Sequence, residues 1–274
     1  MNPPFPLSRE DVDVYQRDGY VLPKFRLEGE SLETLQRLTR KLVSDNPGVS
    51  GFRRPHLNDS GHVQSGEQHL GWLKIASLPR LVDAVEQLIG PDIILFTTTL
   101  FYKPPLEAAT RWHRDGHCYP INPLATTTAW ISVFDMTNKN AALRVIPGSH
   151  MCKRLEIDRA SEEDGRLSLS EAEERAAIDV ELQAGEMILF DVSTVHGSWP
   201  NRSFAPRAGY AIRFFPSTSH YDRSRANGLF RHQHLFLVRG LDRAGNILDG
   251  PLEIDNIIGG SAPLQNFDGQ ALTC

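Results

Sequence analysis

"IILFTTTLFYK", residues 93–103, stays uncharged until its last position and is built mostly from β-branched and aromatic side chains. Such residues suit a pleated surface with neighbours on both faces. Pro91 and Asp92 precede the run and Pro104 and Pro105 follow it, so it reads as one bounded strand. The same character returns in "TTTAWISVFD" (126–135), "ALRVI" (142–146), "EMILFDV" (186–192) and "RAGYAIRFF" (207–215). Only "LSLSEAEERAAI" (167–178) interrupts with a helical signal. Short strands without interleaved helices predict an antiparallel sandwich or jelly roll rather than a parallel sheet.

Upstream, the period changes. Ser8 followed by Asp11 marks a helix start and Gly19 a helix end. Leu32, Leu35, Leu38 and Leu42 form one apolar helix face, closed by Pro47 and Gly48. "LPRLVDAVEQLIGP" repeats the pattern and stops at Gly90 and Pro91. Residues 51–69, "GFRRPHLNDSGHVQSGEQH", are polar and follow neither period, which predicts a long loop suited to a lid. The expected organisation is one domain over 1–274: a helical part (1–90), a jelly-roll core (91–220) and a C-terminal extension (221–274).

The totals narrow the function class. A net charge of −5 over 274 residues offers nucleic acid no electrostatic attraction. No apolar run reaches the roughly 20 residues needed to cross a bilayer, and "MNPPFPLSRE" lacks a secretory leader's basic and apolar regions. Cys118, Cys152 and Cys274 are odd in number and far apart. That argues for a reducing compartment, and a cytoplasmic protein is expected.

The chemistry concentrates in "ATRWHRDGHCYP", residues 109–120. If this is a strand, His113 and Asp115 point to one face, where imidazole and carboxylate suit a divalent ion. An isolated H-x-D pair is weak, since such pairs also form surface hydrogen bonds. His196, in "FDVSTVHGSWPN", supplies a third donor, because a jelly roll pairs strands distant in sequence. Two histidines and one carboxylate form the facial set that leaves open positions on non-haem iron. Arg207 follows His196 by eleven residues. If "GSWPNRSFAP" (197–206) is a hairpin loop, Arg207 starts the neighbouring strand, where its guanidinium suits a carboxylate. Arg213 shares its parity but lies about 20 Å farther along an extended strand, so Arg207 is preferred and Arg213 is read as a structural or substrate-side cation.

The runs "WHRDGH", "AWISVFD", "LRVIPGSH", "HGSWPN" and "PRAGYAIRF" resemble the phytanoyl-CoA dioxygenase-like family of Fe(II)/2-oxoglutarate oxygenases, over roughly residues 95–216. The resemblance implies a double-stranded β-helix with N-terminal helices packed on it. It implies that His113, Asp115 and His196 bind Fe(II), and that Arg207 takes the distal carboxylate of 2-oxoglutarate. Ser198, Trp130, Lys103 and Thr99 match positions near that cosubstrate. Each also has an ordinary reading, as turn former, core, solvated edge lysine and strand residue. The implied activity consumes O2 and 2-oxoglutarate, releases succinate and CO2, and hydroxylates a small-molecule substrate. Related halogenases leave the carboxylate position empty, so Asp115 disfavours halogenation.

Other residues bear on substrate. Arg53, Arg54, Arg111 and Arg114 are available to an anionic group or are solvated. His56, His62 and His69 sit in the polar loop, and Tyr119, Phe101 and Trp199 line a pocket or belong to the core. His117 and His150 are read as surroundings rather than ligands. His232 and His234 lack a nearby carboxylate, and the C-terminal region is a possible second lid. Two rival readings remain. A cupin-type metalloenzyme would use His113 and His117, but no glutamate follows until Glu156. A non-catalytic jelly-roll binding protein would need fewer of these groups.

Overall fold

Alternation along the long strands divides the apolar residues between two cores. β6 (Thr127–Ser132), β9 (Met187–Asp191) and β11 (Arg207–Pro216) turn Ala129, Ile131, Leu189, Tyr210, Ile212 and Phe214 outward. These pack against Tyr15, Leu35, Leu38, Trp72, Leu81 and Val85 of the N-terminal helices. The same strands turn Trp130, Ile188, Phe190 and Ala211 inward, against Leu143, Val145 and Val180 of a second sheet. Burial on both faces is why these segments lack the alternating polarity of a half-solvated strand. The computed structural model describes residues 6–53, 55, 67–151, 167–226, 230 and 233–249.

The larger sheet has seven strands in the order β1-β9-β6-β11-β3-β13, with β2 added on β3. Here β1 is Tyr20–Val21, β2 Gly51–Arg53, β3 Ile93–Lys103 and β13 Phe236–Arg239. The smaller sheet runs β4-β10-β7-β8, from β4 (Thr110–His113), β7 (Leu143–Val145), β8 (Ile178–Val180) and β10 (His196–Ser198). A short pair, β5 (Ile121–Asn122) with β12 (His220–Tyr221), lies apart. Every pairing is antiparallel. Two facing antiparallel sheets with helices outside one of them form a double-stranded β-helix, the fold class that the strand pattern predicted.

Four helices cover the larger sheet: α1 (Arg9–Asp18), α2 (Gly29–Asp45), α3 (Glu67–Ala76) and α4 (Pro79–Ile89). The Ser8–Asp11 capping box and the left-handed Gly19 bound α1 as expected. A short α5 (Glu171–Arg175), capped by Ser170 and Glu173, carries the single helical signal of the strand region. Part of the expected long loop is ordered differently: β2 pairs with β3, and α3 starts at Glu67. The remainder of that lid, with Arg54, His56 and His62, lies outside the described residues, as do the side chain of His69 and residues Cys152, His232 and 250–274.

Candidate active site

β4 and β10 pair with His113 directly opposite His196, and the two imidazole centroids are 4.2 Å apart. Each ring is held by the backbone carbonyl two residues before it. Nδ1 of His113 lies 2.9 Å from the Arg111 carbonyl, and Nδ1 of His196 3.0 Å from that of Thr194. A carbonyl only accepts, so Nδ1 carries the proton and the lone pair sits on Nε2. Both Nε2 atoms face one oxygen, Oδ1 of Asp115, at 3.7 and 3.8 Å. One donor atom from each of the three residues falls within a 4.8 Å group. Donors held about 2.1 Å from an ion in adjacent positions stand about 3 Å apart, so this slightly open trio fits a divalent metal.

Asp115 reaches that point by a different route from strand alternation. β4 ends at His113, and Asp115 adopts helical backbone angles ahead of a short 3-10 turn, Gly116–Cys118. The turn, not the period of two, brings carboxylate and imidazole together. Burial alone would raise the Asp115 carboxyl, but Arg213, His196 and His113 outweigh it and hold it well below the usual carboxylate range. Burial, then the neighbouring His113, pushes His196 down to about 4.

Arg213 corrects the distance argument drawn from the sequence. Its Nε and Nη2 donate to Oδ2 of Asp115 at 3.0 and 2.8 Å, so it is the cation beside the trio. The segment after His196 is not a hairpin loop within one sheet. It crosses from β10 in the smaller sheet to β11 in the larger one, and β11 then runs so that its later residues face Asp115.

Arg207 occupies the other end of the same inward face. It is 4% exposed, its Nε donates to the Ala141 carbonyl at 3.1 Å, and its guanidinium lies 5.4 Å from the centre of the Trp130 ring. Lys103 is its partner in register on β3. The ammonium is no solvated edge group: it donates to Ser198 Oγ at 2.9 Å and to the Ala108 and Trp199 carbonyls at 2.7 and 3.2 Å. Burial, then the charge of Arg207, lowers Lys103 to about 8, while burial lowers Arg207 to about 10. Neither cation has an ion-pair partner among the described residues. Two buried positive charges without a counterion suit the free carboxylate of a keto diacid.

The structure thus brings His113, Asp115 and His196 into one cluster and Lys103, Ser198, Arg207 and Trp130 into a second. Ser198 links them, two residues from His196 along β10. Thr99 shares the inward face with Lys103, and its hydroxyl meets Nη1 of Arg213 at 3.4 Å. Gly209 opposes Ser132 on β6, next to Trp130, and a Cβ there would come within 1.7 Å of the Trp130 ring.

Trp199 lies elsewhere, stacked with Trp112 around Arg144, whose Cζ is 3.8 and 4.9 Å from the two ring centres. Tyr119 packs on Phe96 and Phe230, with ring centres 4.9 and 5.3 Å away. His117 is exposed and His150 sits in a 3-10 turn with Nε2 3.1 Å from the Gln16 carbonyl.

Among the described residues no helix is long and apolar enough to cross a membrane. Residues 15–209 match the family model described as phytanoyl-CoA dioxygenase (PhyH). The chain is 24% identical to bovine (Bos taurus) peroxisomal phytanoyl-CoA dioxygenase over 238 residues, covering 78% of this chain and 70% of that protein. It is 33% identical to a probable alpha-ketoglutarate-dependent hypophosphite dioxygenase of Stutzerimonas stutzeri over 158 residues, 52% of this chain and 54% of the other. The solved structure of EctD from S. alaskensis with 2-oxoglutarate and 5-hydroxyectoine superposes with a TM-score of 0.64 at 19% identity, covering 90% of each chain. Fe(II), 2-oxoglutarate and O2 are the cofactor and cosubstrates that go with this kinship and with the donor set. The match spans most of the sequence, and the chain belongs to the phytanoyl-CoA dioxygenase family, as a 2-oxoglutarate-dependent non-haem iron dioxygenase.

Proposed function

We propose that His113, Asp115 and His196 hold the iron, and that Arg207, Lys103 and Ser198 take the far carboxylate of 2-oxoglutarate beside Trp130. In this reading the enzyme hydroxylates an unactivated C–H bond of a small-molecule metabolite. One observation carries it: both histidines turn Nε2 toward a single carboxylate oxygen, with Nδ1 held at a backbone carbonyl. Bound iron supplies O2 activation, coupled to decarboxylation of 2-oxoglutarate to succinate and CO2. The chain's own residues do the rest. The two carbonyls fix the imidazoles, the buried cations orient the diacid, and Thr99 shares the lining face between the clusters.

The polar character of residues 51–69 supports a small, functionalised metabolite as the substrate. The names of its relatives span an acyl-CoA and the small anion hypophosphite, which makes the two extremes the useful probes. A cytoplasmic location belongs to the same reading, on the odd and scattered cysteines.

The test is spectroscopic first. Anaerobic Fe(II) with 2-oxoglutarate should give a weak visible charge-transfer band, and Asp115→Ala should lose both the band and substrate-dependent succinate formation. A panel of acyl-CoAs, amino acids and phosphonates, scored by succinate release, then ranks substrates. Full turnover in Asp115→Ala, or no band from well-folded wild type, would sink the assignment of the iron to these three residues.

A further inference from the structure

The two oxygens of Asp115 have separate partners. Oδ1 faces both Nε2 atoms, and Oδ2 receives two N–H bonds from one guanidinium. We propose that Arg213 is a positioning residue that holds Asp115 as a one-oxygen donor, keeping Oδ2 turned away from the metal. The inference rests on the metal-site reading above and goes beyond it, because Arg213 acts through Asp115 and offers the metal no donor of its own.

Asp115 needs an outside hold. It stands beyond the end of β4, on a turn, so no strand neighbour fixes its side chain. Arg213 can provide that hold because its own position is determined on several sides. It is flanked in register by Thr97 on β3 and Thr128 on β6. Its Nη1 meets Thr99 Oγ1 at 3.4 Å, and its Cζ lies 5.7 Å from the centre of the Phe101 ring. The β11–β3 register shifts immediately after Arg213, which then leads to Phe214 opposite Leu95. Such an irregularity bends a strand locally and re-aims a side chain. Both Asp115 and Arg213 are nearly sealed from solvent, with side chains 9% and 7% exposed, so water does not substitute for the pair.

The consequence concerns room at the metal. A carboxylate that engages through both oxygens takes an extra coordination position. With Oδ2 committed to Arg213, the protein would contribute three donors and leave the remaining positions to 2-oxoglutarate and O2. A like charge nearby should by itself weaken cation binding. Orientation and charge therefore predict opposite signs for removal of Arg213.

Co(II) binding to apo full-length enzyme, followed by anaerobic absorption or calorimetric titration, separates them. Arg213→Gln should weaken Co(II) by about 10- to 100-fold, the range for losing a partner that orients a ligand. Arg213→Lys, which keeps the charge but offers one donor centre, should recover part of the loss. In an Asp115→Ala background, Arg213→Gln should no longer weaken Co(II) and should leave the residual affinity the same or higher, because there is no carboxylate left to orient and a like charge has been removed. Tighter Co(II) binding by Arg213→Gln, or an equal loss with and without Asp115, would overturn the proposal. Failure of wild type to bind Co(II) would instead remove the metal-site reading on which it rests.

Discussion

Lys103 and Arg207 stand directly opposite each other in the β3–β11 register, two buried cations with no ion-pair partner among the described residues. Lys103 titrates at about 8 in the folded chain against an ordinary 10.5, burial being the larger cause and Arg207 the second. Between about 8 and 10.5 the native ammonium is deprotonated while the unfolded one still binds its proton. The group's contribution to stability therefore rises with pH across that window and is least favourable below it. Its charge toward an incoming anion changes in the opposite sense. The 2-oxoglutarate dissociation constant of the Mn(II)-loaded enzyme should increase as pH passes about 8. Lys103→Met should bind weakly at every pH with that step removed, and a wild-type affinity flat from pH 7 to 9.5 contradicts the prediction.

Metal should stabilise the fold through the same histidines. At a free concentration 100 times its dissociation constant, an ion binding only the native state adds about 2.7 kcal/mol. For a chain of this size that corresponds to a rise of roughly 5–10 °C in Tm. Thermal unfolding of chelator-treated enzyme with and without Mn(II) measures the shift, and His196→Ala should abolish it. A full shift in that variant would place the ion elsewhere.

Gly209 is required by the indole beside it, since a methyl group would stand 1.7 Å from the Trp130 ring. Gly209→Ala should cost about 1–3 kcal/mol by overpacking. It should also weaken 2-oxoglutarate, because the displaced indole adjoins Arg207. Trp130→Leu should absorb much of that damage, so urea midpoints of the double variant should be less than additive. Strict additivity would show that the two positions do not collide.

The parts of this fold that were legible in the sequence are those whose cause is local. β3 was bounded correctly at both ends because prolines flank a run rich in β-branched residues. α1 was bounded because Ser8, Asp11 and Gly19 each satisfy backbone groups at its ends. The strands β4, β8 and β10 have only three or four residues and no period to read. α3 was missed because its first residues, Glu67 to His69, continue the polar run before it and Gly71 interrupts the apolar one. The histidines could be paired because their chemistry is complementary, whatever the route between them. Arg213 could not be placed that way. Its contact with Asp115 depends on a crossing between sheets and on a shift of register, neither of which is written in the residues nearby.

That crossing has a consequence of its own. His196 lies on one sheet and Arg207 on the other, eleven residues later, with Trp130, Ile188, Phe190, Leu143 and Val145 packed between the sheets. Close-packed interiors resist compression and stretching, so the sheet separation acts as a ruler for whatever bridges the two clusters. A keto diacid longer by one methylene would have to buckle, and one shorter would leave a carboxylate out of reach of its cations. On the proposed reading, the same packing that holds the fold together would thereby select the cosubstrate by length.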